Sequence, residues 1–202
     1  MKLFIKSLFF VLVCLATTKV FAQTISVKNS NGVTIKYKFY NPNGGGLELA
    51  VANNSYSGIV IIPKTVIYNK RTWKVTSIGA DAFYNCSGLT SVNIPSSVTS
   101  IGCEAFRGCT GLTSVNIPSS VTSIGHGAFE DCSGLTSVTI PEGVTKTGIG
   151  IFNSCTSLMS VTIPEGSVVV TEENGWFDGC TALKSLTVRM KDGSTQTRPL
   201  PY

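Results

Sequence analysis

LTSVNIPSSVTSIG, at residues 89–102, returns letter for letter at residues 112–125. Two more divergent copies begin at Leu135 and Leu158, so successive copies start 23 residues apart. The back half of an earlier copy, VTSIGADAFYNCSG, stands before them at residues 75–88. A fixed period in the twenties is typical of a solenoid, in which each repeat forms one coil. One coil alone buries too few apolar side chains to offset the entropy lost in ordering its backbone, so the copies are expected to stack on one another.

The apolar positions within one copy predict the path of its coil. Their spacing at the start of the copy fits a short strand with every leucine-type side chain turned inward. Pro95 is expected to end that strand because it has no N–H for the ladder, and Gly102 is expected to allow a sharp turn. A short helical or 3₁₀ turn is predicted to follow. The inward residues predicted for the copy at 89–111 are Leu89, Val92, Ile94, Val98, Ile101, Ala105, Phe106 and Cys109.

Three phrases stand in the same order at residues 89–109 and 112–132: L-x-x-V-x-I-P, V-x-x-I-G and A-F-x-x-C. They resemble the BspA-like leucine-rich repeats of secreted and surface bacterial proteins. The resemblance covers roughly residues 59–188, with departures at Thr147, Ile151 and Trp176. It implies a β-rich leucine-rich-repeat solenoid, a right-handed superhelix with one short parallel strand per ~23-residue coil. It also implies a non-enzymatic adhesion module that binds a host or bacterial surface protein.

Four segments are predicted along the chain. Residues 1–22 have the basic start, the apolar run and the small final residues of a secretory signal peptide, with cleavage expected after Ala22. Residues 23–58 alternate apolar and polar side chains, which predicts an N-terminal antiparallel β cap over the first coil. The solenoid is expected at 59–188, with a hairpin inserted at 65–74, and a C-terminal tail or incomplete cap at 189–202. The chain is therefore expected to be secreted or held at the cell surface.

Composition and charge exclude several classes of partner. Charged residues make up 13% of the chain, and the net charge of +5 falls to +2 once residues 1–22 and their three lysines are removed. A nucleic-acid-binding protein would show a strong basic patch or stripe instead. The mature chain has no second long apolar run, so no membrane span is expected in it. The remaining charge is uneven: residues 23–88 carry seven basic and two acidic side chains, and residues 89–202 carry six and nine.

The cysteines recur with the repeat. Stacked side chains in register point the same way, whereas a disulfide needs two Cβ atoms turned toward each other. The recurring thiols are therefore predicted to form a buried, reduced column, although an even number of cysteines in a secreted chain usually suggests disulfides. The members of this cysteine column are Cys86, Cys109, Cys132, Cys155 and Cys180.

Catalytic and metal-binding patterns are not evident in the sequence. Cys103 and His126 share one position in neighbouring copies, but two ligands make a poor zinc site. His126 is the only histidine, and no nucleophile–base set, phosphate loop or spaced carboxylate pair stands beside it. The expectation is a protein that is not an enzyme and that uses no cofactor and no metal.

Two surfaces are candidates for binding a protein partner. The first is the outward side of the predicted strands, a strip of short polar side chains; the alternative is that this strip only keeps the sheet soluble. The second is the basic insert Lys70, Arg71, Trp73 and Lys74. A carbohydrate-binding solenoid, or less plausibly an ice-binding one, would use the same polar strip with Tyr68 or Trp73 at its edge. The strip consists of Ser91, Asn93, Ser114, Asn116, Ser137, Thr139, Ser160, Thr162, Ser185 and Thr187.

Overall fold

The computed structural model describes residues 24–40, 46–49, 56–166 and 175–200. The predicted signal peptide, residues 1–22, and its cleavage site lie outside these ranges. Within them the chain is a β-solenoid with no helix. The strands are β1 (Thr24–Lys28), β2 (Thr34–Tyr40), β3 (Gly46–Leu49), β4 (Gly58–Ile61), β5 (Thr65–Tyr68), β6 (Arg71–Ile78), β7 (Leu89–Asn93), β8 (Ser100–Ile101), β9 (Ser123–Ile124), β10 (Ser137–Thr139), β11 (Lys146–Thr147), β12 (Ser160–Pro164), β13 (Ser185–Arg189) and β14 (Thr195–Pro199).

The first three strands form an antiparallel meander. β1 pairs with β2 and β2 with β3, as their alternating pattern predicts. Ile35 and Tyr37 of β2 are fully buried, whereas Lys38 is exposed. β3 then runs parallel to β6, so the meander continues into the first coil of the solenoid.

The predicted insert is a hairpin. β5 and β6 pair antiparallel across a two-residue turn at Asn69 and Lys70, both of which have positive φ. A turn of this kind matches the twist of the flanking strands. The structure therefore confirms the hairpin inferred from the interruption of the first repeat.

The later coils contribute strands to two sides of the solenoid, a front and a back. The front strands are β4, β7, β10, β12 and β13, with β14 added antiparallel at the end. The back strands are the end of β6 together with β8, β9 and β11, which pair parallel in register. The predicted solenoid with a short parallel strand in its coils is confirmed, and the Val-x-x-Ile stretch adds a second short ladder.

The segment after the turn glycine was predicted as a short helical or 3₁₀ turn, and it forms tight turns closed by the i→i+3 bonds of a 3₁₀ turn and no helix. The backbone N–H groups of Glu104, Phe106 and Gly108 donate to carbonyl groups of the next coil at 2.8–2.9 Å. A helix would need such N–H groups for bonds within its own turn. The segment instead folds as successive tight turns, with Cys109 N–H bonded to the Phe106 carbonyl at 3.1 Å.

The glycines at the corners of the coils are required by close approach. None of Gly102, Gly125 and Gly148 has a positive φ, so glycine is not needed here for a left-handed backbone conformation. A Cβ at Gly102 would lie 2.5 Å from the backbone nitrogen of Ala80 in the preceding coil, and the other two meet the same obstacle. Backbones therefore touch at this corner of every coil.

Aromatic rings and thiols stack along the length of the core. Phe83, Phe106, Phe129 and Phe152 lie in one column with ring centroids 4.9–5.5 Å apart and ring planes within 10° of parallel. Each ring is 0% exposed. The aromatic contacts and the buried aliphatic side chains around them hold successive coils in the same orientation.

Candidate functional site

The strip of short polar side chains lies in vertical register on the front strands. Ser137 pairs with Ser160, and Thr139, Thr162 and Thr187 pair in sequence across three strands. Ser91 and Asn93 stand opposite Ile59 and Ile61 of β4. Every member of the strip is exposed or half-exposed. We call this surface the strand face, and it presents only serine, threonine and asparagine side chains between Ser91 and Thr187.

The ladder beneath the strand face is interrupted at residues 112–117. Ser114 forms an isolated parallel bridge to Ser137, but residues 115–117 belong to no strand. Within the described chain the backbone N–H groups of Asn116 and Ile117 have no backbone partner in a neighbouring coil. The equivalent amide one coil later, that of Ile140, donates to Thr162 at 2.8 Å. The front ladder is therefore two sheets, β4–β7 and β10–β12–β13–β14, with an open segment between them.

A cavity of about 350 Å³ lies at this interruption. Val115, Ile117 and Val138 turn their side chains into the core, so they offer chiefly backbone atoms to the cavity. The polar side chains around it are those of Ser114, Asn116, Ser119, Ser137 and Thr139, and Pro141 and Arg189 complete the lining.

Arg189 is the functional candidate that the sequence interpretation missed. It stands opposite Pro164 in the register, at the position where the regular repeats carry proline. It lies on β13, two strands away from β10, yet it lines the cavity beside Thr139, so its side chain extends across β12. The signal in the sequence was the loss of the repeat pattern after Leu183, which was interpreted only as the end of the solenoid.

The basic insert belongs to a different part of the molecule. Lys70, Arg71 and Lys74 are exposed at the hairpin of β5 and β6, whereas Trp73 is half-buried against the core. This hairpin joins the sheet of the back strands and not the strand face. The two candidate surfaces are therefore separate, and the edge aromatics expected for carbohydrate binding do not lie on the polar strip.

The cysteine column is buried and bonded between coils. Cys109, Cys132, Cys155 and Cys180 each donate their S–H to the carbonyl oxygen of the phenylalanine in the preceding coil, at 3.1 Å. Burial raises the pKa of the Cys132 thiol to about 12 and also raises the pKa of Cys109. These thiols stay protonated at neutral pH, which is the state in which they can donate the bond. All five members of the column are free and buried, and only Cys103 among the free thiols is exposed.

The remaining polar groups of the described residues form few contacts with one another. Cys103 and His126 occupy neighbouring coils, and His126 Nδ1 accepts the backbone N–H of Ile149 at 3.0 Å. No group of three or more metal-ligating side chains is found among the described residues. Arg107 pairs with Glu104, Glu130 and Asp131 at 3.2–3.7 Å, and such exposed pairs contribute little to stability. Within the same ranges no helix is long and apolar enough to cross a bilayer.

Comparison with known proteins places these features in a family. The family model described as BspA type leucine rich repeat region matches residues 76–196 in six copies. A leucine-rich repeat protein from Bacteroides ovatus is 33% identical, with a TM-score of 0.54 over 75% of this chain and 45% of its own. One from Bacteroides capillosus is 28% identical, with a TM-score of 0.58 over 69% and 97%.

A third solved structure is described as a leucine rich cell surface protein from Faecalibacterium prausnitzii. It is 26% identical, with a TM-score of 0.54 over 84% of this chain and 56% of its own. This chain thus spans about half the length of the first and third of these structures. None of the curated proteins matches the chain.

Proposed function

Because the chain belongs to the BspA-type leucine-rich repeat family, we propose that it is a secreted or cell-surface module that binds a host or bacterial surface protein through its strand face. The observation that carries this proposal is the cavity of about 350 Å³ at residues 112–117. Repeat proteins use extended faces of this kind to bind partners. A recess in such a face gives a partner side chain a place to be desolvated, which is where binding energy concentrates.

Two independent observations support a secreted or cell-surface location. Residues 1–22 carry the signal-peptide pattern, and one structural relative is described as a cell surface protein. The fold is a scaffold of stacked coils, and the family resemblance implies adhesion to a protein surface. The candidate strand face therefore faces the exterior of the cell in this proposal.

Capture from surface extracts tests the proposal. The exported chain, immobilised, is expected to retain a protein from host-matrix or bacterial-surface extracts. Asn116→Lys combined with Ser137→Lys should abolish retention, because both side chains line the cavity and lysine would fill it. The matched control is Thr110→Lys with Thr156→Lys, which makes the same charge change at two exposed positions outside the strand face.

The outcome that overturns the proposal is equally specific. Retention that survives the cavity double variant, with unchanged circular dichroism, would move the binding site away from the strand face. Binding only to a glycan array, lost in Trp73→Ala, would favour the carbohydrate-binding alternative instead.

A further inference from the structure

The cavity on the strand face contains one charged group, and that group is positive. Of the residues that line it, Arg189 carries a guanidinium and none carries a carboxylate. Arg107 is the only arginine or lysine in a side-chain ion pair within the described chain, so Arg189 is unneutralised there. The described acid closest to it in register, Glu165, accepts the backbone N–H of Lys191 at 3.0 Å. A cation without a counterion in a recess favours an anionic ligand.

The polar groups beside Arg189 suit a carboxylate. The amide of Asn116 and the hydroxyls of Ser119 and Thr139 are hydrogen-bond donors that line the same space. A guanidinium presents two parallel N–H groups that match the two oxygens of a carboxylate. Arg189 and these three side chains are exposed, so they are accessible to a ligand. The lining therefore supplies the charge and the additional donors that a bound carboxylate needs.

The lining of the cavity distinguishes a peptide from a sugar. It contains no aromatic side chain on which a sugar ring could stack. Its one charged group is a cation, which is complementary to the acidic side chains of a polypeptide. Both features favour a polypeptide.

We propose that this cavity binds an aspartate or glutamate side chain from an extended, acidic segment of a protein partner, with Arg189 holding the carboxylate. The inference rests on the proposed function and specifies its ligand chemistry. Arg189 acts as the anchor, and Asn116, Ser119 and Thr139 orient the carboxylate.

Fluorescence polarisation with paired peptides tests the inference. The probes are labelled peptides of about ten residues, a panel with a central Glu or Asp and a matching panel with Gln or Asn. The acidic peptides are expected to bind at least about tenfold more tightly than their amide partners, with an affinity that falls as salt rises. Arg189→Gln should remove that tenfold preference, and Arg189→Lys should restore part of it.

Arg198→Gln is the matched control, because Arg198 is an exposed arginine on β14 that does not line the cavity. It should leave the acidic peptide affinity within about twofold, since rim charges contribute little. Equal losses in both variants, no binding by any acidic peptide, or binding of uronic-acid glycans without acidic peptides would each overturn the inference.

The failure of this inference can be told apart from the failure of the proposed function. A captured protein whose binding is lost in the Asn116→Lys, Ser137→Lys variant but kept in Arg189→Gln would retain the strand face and reject the carboxylate anchor. A captured protein insensitive to both variants would reject the strand face itself.

Discussion

The two identical stretches at 89–102 and 112–125 bury the same side chains but pair differently on the outside. Leu89 and Leu112 are both 0% exposed, as are Val98 and Val121. Residues 89–93 nevertheless form β7 and pair with β4, whereas their counterparts 112–116 form no strand and only one isolated bridge, from Ser114 to Ser137. Identical letters therefore determine the inward columns, and the neighbouring coils determine the outward ladder.

The neighbours of the two stretches explain this difference. β7 is paired to β4, whose Ile59 and Ile61 carbonyls accept the side-chain amides of Asn31 and Asn29 at 2.6 and 2.8 Å. The open segment has no such partner: Asn116 lies between Asn93 and Thr139 in coil order. Asparagine is depleted in strands and threonine is enriched. The ladder is continuous where threonine stands on adjacent rungs, at Thr139, Thr162 and Thr187.

The largest expected effect comes from removing a ring from the phenylalanine column to which both copies contribute. Phe106→Ala and Phe129→Ala each remove a fully buried ring that stacks on a phenylalanine on both sides. Each should lower the free energy of unfolding by about 3–5 kcal/mol, because lost burial and a residual cavity act together. Chemical denaturation measures both values. A large difference between the two losses in the free energy of unfolding would show that the interiors of the copies are not equivalent.

A smaller loss is expected at the corners of the coils. Gly102→Ala and Gly125→Ala place a Cβ against backbone atoms of the preceding coil. Backbone cannot yield as a flexible side chain does, so each change should cost about 1–3 kcal/mol. Thermal unfolding of the two variants beside Gly143→Ala supplies the measurement, since a Cβ at Gly143 would lie no closer than 3.0 Å to its neighbours. Equal stability of all three would contradict the close approach.

Alkaline pH should reduce the contribution that the cysteine column makes to the free energy of unfolding in both copies. The pKa of Cys132 is raised from 9.0 to about 12 by burial, so above about pH 9 the unfolded chain releases a proton that the folded chain keeps. The free energy of unfolding should be constant below that pH and fall as pH rises toward 12. Urea midpoints measured from neutral to alkaline pH should fall less steeply in Cys132→Ala and in Cys109→Ala. Parallel declines in wild type and variants would contradict this assignment.

The smallest predicted effect comes from a substitution that should extend the front ladder into residues 115–117. Asn116→Thr should extend the threonine row of Thr139, Thr162 and Thr187 by one rung and raise the free energy of unfolding by a few tenths of a kcal/mol, about 0.2–1. It should also weaken binding of a strand-face partner, because it removes the Asn116 amide from the cavity lining. Asn93→Thr is the control, because β7 is already paired. A gain in stability from Asn93→Thr alone would reverse the comparison.

The sequence predicted the interior of the molecule better than its surface. The 23-residue period and the apolar spacing predicted the solenoid and its inward residues, because the same positions are buried in each coil. The alternation of apolar and polar residues predicted the β1–β2–β3 meander. The turn at Ala105–Cys109 was predicted as helical or 3₁₀, but the hydrogen bond from the Phe106 N–H to the next coil was not predicted, since no local pattern reveals that contact. The strand-face cavity was not predicted, since it depends on a missing ladder between identical sequences and on Arg189 two strands away.

Residue-resolved amide hydrogen exchange tests the central claim, that coil neighbours open the ladder at 115–117 within a uniform interior. The amides of Ile117 and Ile140 occupy the same repeat position, and only that of Ile140 donates to a neighbouring coil. The Ile140 amide should be at least about tenfold better protected than that of Ile117, while the amides of Phe106 and Phe129 should be protected alike. Equal protection at Ile117 and Ile140 would contradict the open ladder and the binding cavity inferred from it.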